Sequence, residues 1–187
     1  MQRSGLVLAF RVVFALTWPT AVAAQAIPVT VPDTVGSFVL TESIPLDEGG
    51  VLLRYLDSEG VNADLFITPP VADLVEAAAT DSIILDMHSA SFVESLKYGA
   101  SRGYWEAYSM VLEPKPLVVQ TPSGDMTGRE SVFVFRRRGE VFVSIMRLFL
   151  VNGYFVKSRV SLPEQGWAES DKSLFGKQVM EKLTPVE

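Results

Sequence analysis

Asn152-Gly153 stands between two long runs of alternating side chains, Glu140 to Leu150 and Tyr154 to Leu162, and no other short signal constrains this 187-residue chain as strongly. Asn-Gly accepts positive φ at both central positions of a two-residue turn, the backbone whose twist matches an antiparallel pair. That turn sets Phe149 opposite Val156 and Ile145 opposite Val160. A second tight turn at Arg138-Gly139 adds the run Glu130 to Arg137 and sets Glu130 opposite Arg147. A slip of one residue in either hairpin would move every apolar side chain to the other face, so the two registers have to agree.

They agree on one face that carries Val132, Val134, Val143, Ile145, Phe149, Tyr154, Val156, Val160 and Leu162. Arg147 lies in the middle of this apolar field, with Glu130 on one side and Ser158 on the other. An arginine in such surroundings has to be paired or hydrogen-bonded. The opposite face holds Phe133, Phe135, Phe142, Leu148, Leu150 and Phe155 together with Ser144, Met146, Lys157 and Arg159, so both faces are expected to be at least partly covered.

The upstream half reads as a second meander. Ile27 to Pro32 is an extended, proline-flanked lead-in, followed by strand-like runs at Ser37 to Glu42, Val51 to Asp57 and Val61 to Thr68. A three-residue loop at Ser58-Glu59-Gly60 places Arg54 opposite Asp64 and gathers Val51, Leu53, Tyr55, Ala63, Leu65 and Ile67 on one apolar face. Val71 to Ala79 is Ala-rich with helix propensity. Asp81 or Ser82 is placed to cap a longer helix reaching about Arg102, the main core helix, with Ile83, Met87, Ala90, Val93, Leu96 and Ala100 as its inward stripe and Gly103 as its stop. Tyr104 to Leu112 is a further strand candidate, which Pro114 and Pro116 separate from Leu117 to Thr121. Trp167 to Leu183 reads as a terminal amphipathic helix with Ala168, Phe175, Val179 and Leu183 on one side.

The predicted class is α+β with a mostly antiparallel sheet: an N-terminal three-strand meander, a long helix, a C-terminal three- to four-strand meander and a terminal helix. This order is similar to that of small exported modules of the PsbP and Mog1 kind, a likeness of architecture with no residue motif behind it.

The first 26 residues follow a different pattern. Arg3 and Arg11 bracket a charged start, Val12 to Trp18 is a short apolar run broken by Pro19, and Ala21-Val22-Ala23 or Ala24-Gln25-Ala26 supplies a small-x-small cleavage site. The reading is a cleaved signal peptide over 1–26, a single α+β domain over 27–187, and a secreted or periplasmic product. The apolar stretch from Gly5 to Leu16 contains Arg11 and falls well short of the ~20 residues of a spanning helix.

Composition removes much common chemistry. With no cysteine and one histidine, disulfides, thiolate nucleophiles and two-histidine metal sites are excluded. Cleavage after residue 26 takes two of the 16 basic side chains and none of the 22 acidic ones, so the mature chain is more negative than the whole-chain net charge of −6. That balance argues against nucleic acid as a partner, and the one basic run, Arg136 to Arg138, sits at a hairpin end where charge opposes strand aggregation. Ser82, Ser89, Ser91 and Ser95 lie near His88, but none is in a Gly-x-Ser-x-Gly elbow. Asp47-Glu48 and the group Asp57, Glu59 and Asp64 lack the alternation of a calcium loop. Gly49-Gly50 and Ser123-Gly124-Asp125 lack the lysine and helix of a phosphate loop. No catalytic residue, metal or cofactor is therefore expected.

The candidate ligand-binding residues are Arg147, Glu130 and Ser158, as the polar floor of a cavity between the sheet and the Ile83 to Arg102 helix. His88 lies on the edge of that helix's apolar stripe, and Tyr104 and Trp105 at the rim. The expected function is an exported non-catalytic binding or protein-interaction module. Its partner is a protein, a second copy of the chain or a small apolar ligand. The alternative is an exported hydrolase or lyase that uses carboxylates with Arg147.

Overall fold

The computed structural model describes residues 29–47, 49–69 and 80–185. The 1–26 segment and Val71 to Ala79 lie outside them. The strands are β1 (Val29–Thr30), β2 (Thr34–Val35), β3 (Phe38–Pro45), β4 (Val51–Leu56), β5 (Asn62–Thr68), β6 (Ala107–Thr121), β7 (Gly124–Arg137), β8 (Glu140–Val151), β9 (Tyr154–Pro163) and β10 (Thr184–Pro185). The helices are α1 (Asp81–Ser101) and α2 (Phe175–Lys182), the latter preceded by a 3-10 turn at Asp171–Leu174. Eight strands form one antiparallel sheet in the order β2-β3-β4-β5-β9-β8-β7-β6, and β1 pairs with β10. The fold is α+β.

Both C-terminal hairpins have the registers read from their turns. Phe149 pairs with Val156, Ile145 with Val160, and Glu130 with Arg147. Positive φ occurs at Arg138 and Gly139 and again at Asn152 and Gly153, as a two-residue turn of this hand requires. The β4–β5 hairpin pairs Arg54 with Asp64 and Leu52 with Phe66, as expected from Gly60 in its loop. The two meanders join where β5 lies against β9, with Ala63 opposite Val160.

Each face of the sheet carries one helix. Val35 of β2 and Val119 of β6, near opposite ends of the strand order, belong to the same buried cluster as Phe175, Val179 and Met180, so the sheet curls around α2. The Phe175 ring meets Phe38 and Tyr55 edge-on, at centroid distances of 5.0 and 5.2 Å. This larger core lies under the short terminal helix, which corrects the expectation that the long helix would be the main core helix. The terminal element is also shorter than expected, because the chain takes a 3-10 turn before α2; Phe175, Val179 and Leu183 are nonetheless buried together.

α1 packs on the opposite face, over Leu148 and Phe155 at one end and Phe133 and Phe135 at the other. Its buried residues are Ile84, Leu85, Ser89, Leu96 and Gly99, whereas Ile83 and Met87 are exposed. Of the expected stripe Leu96 is buried, Val93 and Ala100 are partly buried, and Ile83, Met87 and Ala90 face outward, so the buried side is rotated from the expected one. Apolar residues lie all round this helix, so their spacing does not choose a face. Leu85, Ser89, Leu96 and Gly99 share one side at 100° per residue, and the small residues among them permit close approach. Thr80 is the extended residue that starts the helix, and it makes no side-chain cap bond. Asp81, expected as a cap, is the first helical residue, where its negative charge suits the helix N-terminus.

Pro114 and Pro116 do not divide the strand that contains them. β6 runs unbroken at the edge of the sheet, with register shifts between Met110 and Leu112 and between Leu112 and Lys115. An edge strand needs no amide on its outer side, and irregular pairing absorbs the rest.

Candidate functional site

Beyond the C-terminal end of α1, the α1 face of the sheet is left open as a groove of about 920 Å³. Its floor crosses the junction of the two meanders: Asn62 and Asp64 from β5, Arg159 and Ser161 from β9, Phe142 from β8 and Phe135 from β7. Arg54 and the Glu59–Val61 turn close one side, with Tyr104 and Trp105 opposite.

The aromatic wall is set by the way α1 ends. Gly103 has φ +75°, and the Tyr104 amide donates to the Gly99 carbonyl at 3.0 Å, which turns the chain back over the helix. Gly99 is glycine for a spatial reason, since a Cβ there would lie 2.5 Å from the Trp105 ring. The Glu106 amide then donates to the Arg136 carbonyl at 2.9 Å and starts the pairing of β6 with β7. Trp105 is thereby held against Phe135, 6.3 Å between centroids, and Phe135 stacks on Phe142 at 5.4 Å.

The charges lining the groove are unevenly matched. Arg54 is bound by Glu42 at 2.8 Å and by Asp64 at 3.3 Å. Glu59 is bound by Lys172 at 2.8 Å, and the same lysine reaches the buried Asp57 at 2.5 Å. Both acids of the groove are therefore engaged, while Arg137 and Arg159 form no ion pair among the described residues. The Arg159 Nε donates to Ser144 Oγ at 3.1 Å, and its guanidinium carbon lies 5.7 Å from the ring centroids of both Phe133 and Phe135. Burial pushes the Arg159 guanidinium below its ordinary pKa, Asp64 opposes this, and Arg137 adds to it.

The residues singled out from the sequence divide between the two faces. Arg147, Glu130 and Ser158 meet, but beneath α2 and not beneath α1. The Arg147 Nε and Nη2 donate to Glu130 Oε2 at 2.8 and 2.7 Å, and Nη1 donates to the Ser173 carbonyl at 2.7 Å. Gly176 seats the helix over this pair, since a Cβ there would fall 3.1 Å from Arg147 Cδ and closer still to Ser158 Oγ. Arg147 is thus not the floor of a cavity facing the long helix, because side chains alternate along β8 and position 147 points to the other side. Tyr104 and Trp105 do stand at a rim, that of the groove described above.

His88 lies on α1, stacked on Phe155 at 4.0 Å, and is not among the groove residues. Burial, and secondarily Lys157, lower its pKa from 6.5 to about 4. The unfolded chain therefore binds the proton more readily, and this histidine's contribution to stability is full above pH ~6.5 and declines as pH falls toward about 4. The His88 ring resonances should titrate near pH 4 in the folded protein, and His88→Gln should flatten the stability profile between those two values. A ring that titrates near 6.5 would show that it is solvated.

Arg54, Arg137, Arg159, Phe142 and Ser161 were not recognised from the sequence as neighbours. Local turns give the pairs Arg54 with Asp64 and Phe135 with Phe142, but the β5–β9 pairing that joins them is encoded by no turn. The one available signal is Arg159 on a strand face that also carries Phe133, Phe135 and Phe142. Among the described residues no group of three or more His, Cys, Asp or Glu could hold a metal ion. No helix among them is long and apolar enough to cross a membrane.

No known protein family matches the sequence, and no curated protein matches it. Among solved structures, the chain is similar to the solution structure of cyanobacterial PsbP (CyanoP) from Synechocystis sp. PCC 6803. The two share 11% identity, the match covers 89% of this chain and 98% of the other, and the TM-score is 0.52. At that identity the likeness is one of fold.

Proposed function

We propose that this chain is an exported, non-catalytic binding module, a single domain over 27–187 released from a cleaved signal over 1–26, that takes its ligand in the groove beside Trp105. The observation that carries this reading is the groove itself: a concave, partly aromatic surface in which Arg137 and Arg159, on β7 and β9, form no ion pair among the described residues. Sites that bind without chemistry need little more. The residues a hydrolase would recruit are dispersed, with His88 stacked on Phe155 on one face and Arg147 spent on Glu130 and Ser173 on the other. General acid–base work needs its groups within reach of one reacting atom.

Three measurements test the reading. Intact-mass analysis of exported material should give a chain starting between Ala24 and Ile27. Titration of that material with a panel of small aromatic compounds, followed by amide resonances, should move Asn62, Trp105, Phe142 and Ser161 together while the resonances around Arg147 stay in place. Retention of Met1 to Trp18 in the cytoplasm would overturn export. Turnover of nitrophenyl esters or phosphates that is lost in Arg147→Met would overturn the non-catalytic reading.

A further inference from the structure

Resting on the groove as binding surface, we infer that its ligand is a small anion carried on a flat ring, with the carboxylate, sulfonate or phosphate group received by Arg159 and Arg137 and the ring laid against Trp105 and Phe142.

Charge accounting at the groove supplies the first half. Each lining acid already has a cation, Asp64 with Arg54 and Glu59 with Lys172, so an incoming anion need not displace a bond to reach Arg159. Arg159 is pre-oriented, because Ser144 Oγ accepts from its Nε and its guanidinium carbon lies over the Phe133 and Phe135 rings. With Nε committed, the terminal nitrogens remain the fork that suits a planar anion. Arg137 lines the same groove as Arg159, and two cations that face one groove are stabilised by an anion between them.

The second half follows from size and from the field of the whole molecule. About 920 Å³ falls within the range of small-molecule sites. The stacked Phe135 and Phe142 rings with Trp105 at an angle to them offer a face for a ring. A strongly acidic protein segment would be repelled by a chain of net charge −6. A single small anion meets mainly the charges within a Debye length of about 8 Å, and among the charged groups that line the groove the three arginines outnumber the two acids, each of which is already paired.

The probe pair is 1-anilinonaphthalene-8-sulfonate and N-phenyl-1-naphthylamine, which share their rings and differ in the sulfonate. The wild-type mature protein should bind the sulfonate dye roughly tenfold more tightly than the uncharged one. Arg159→Gln and Arg137→Gln should each remove most of that difference and leave the uncharged dye's affinity unchanged. Lys157→Gln, which removes a cation from the same sheet face outside the groove, should change neither. Arg137 is exposed on a hairpin, so its variant reports on binding even if Arg159→Gln folds poorly. Equal affinity for the two dyes, with groove resonances shifted by both, would overturn the anion assignment while leaving the binding groove standing. Dye binding that moves no groove resonance would overturn both. An Asp/Glu-rich peptide that displaces the sulfonate dye at lower concentration than 2-naphthoate does would replace the small ligand with a protein segment.

Discussion

Glu130→Ala should lower stability by about 3 kcal/mol, because it leaves Arg147 buried without its counter-charge. The Glu130 and Arg147 side chains are only 14% and 6% exposed, and the Ser173 carbonyl is a dipole that cannot replace a carboxylate. Burial lowers the arginine's pKa, and Glu130 opposes that fall by favouring the charged guanidinium. Arg147→Met, which fills the volume without a charge, should cost less than Glu130→Ala, and the double variant should be more stable than the sum of the single losses implies. Denaturant midpoints with unchanged m values would measure all three. A Glu130→Ala loss below ~1 kcal/mol would mean that water reaches the pair.

An effect at least as large is expected at Phe175. Phe175→Ala removes a ring of α2 that is wholly buried against Phe38 and Tyr55, and large-to-small changes of this kind cost about 3–5 kcal/mol. The loss should be visible both in the denaturant midpoint and as weakened near-ultraviolet dichroism from Tyr55. A loss below ~1 kcal/mol would show that α2 rests on the sheet without holding it. Because Phe175 is adjacent to Gly176, the glycine that lets α2 sit over Arg147, combining Phe175→Ala with Glu130→Ala should give a non-additive result.

What the sequence disclosed followed the range of its signals. Asn152-Gly153, Arg138-Gly139 and Gly60 set turns, turns set registers, and the registers brought Glu130 to Arg147 and Arg54 to Asp64 without reference to the rest of the chain. α1 was found as an element but turned the wrong way, since its apolar residues surround it and its inner face is chosen by the small Ser89 and Gly99. Pro114 and Pro116 read as breaks because a sequence does not say which strand will lie at an edge. The groove was the least legible part. Its arginines come from β4, β7 and β9, and only the non-local pairing of β5 with β9 brings β4 beside the others.

That same pairing governs the order in which the protein can assemble. Strands β3 to β5 and β6 to β9 can each form from neighbours in sequence, but Ala63 meets Val160 only after a long loop has closed. A chain made from its N-terminus therefore completes the first meander well before β9 exists, and during that interval Val51, Leu53, Tyr55, Leu65 and Ile67 have no second layer to cover them. β5 meanwhile presents an open edge of unpaired amides and carbonyls, the geometry that invites pairing with another chain. The half-made protein is accordingly the aggregation-prone species, and its exposure ends when β9 docks and α2 closes over the curl.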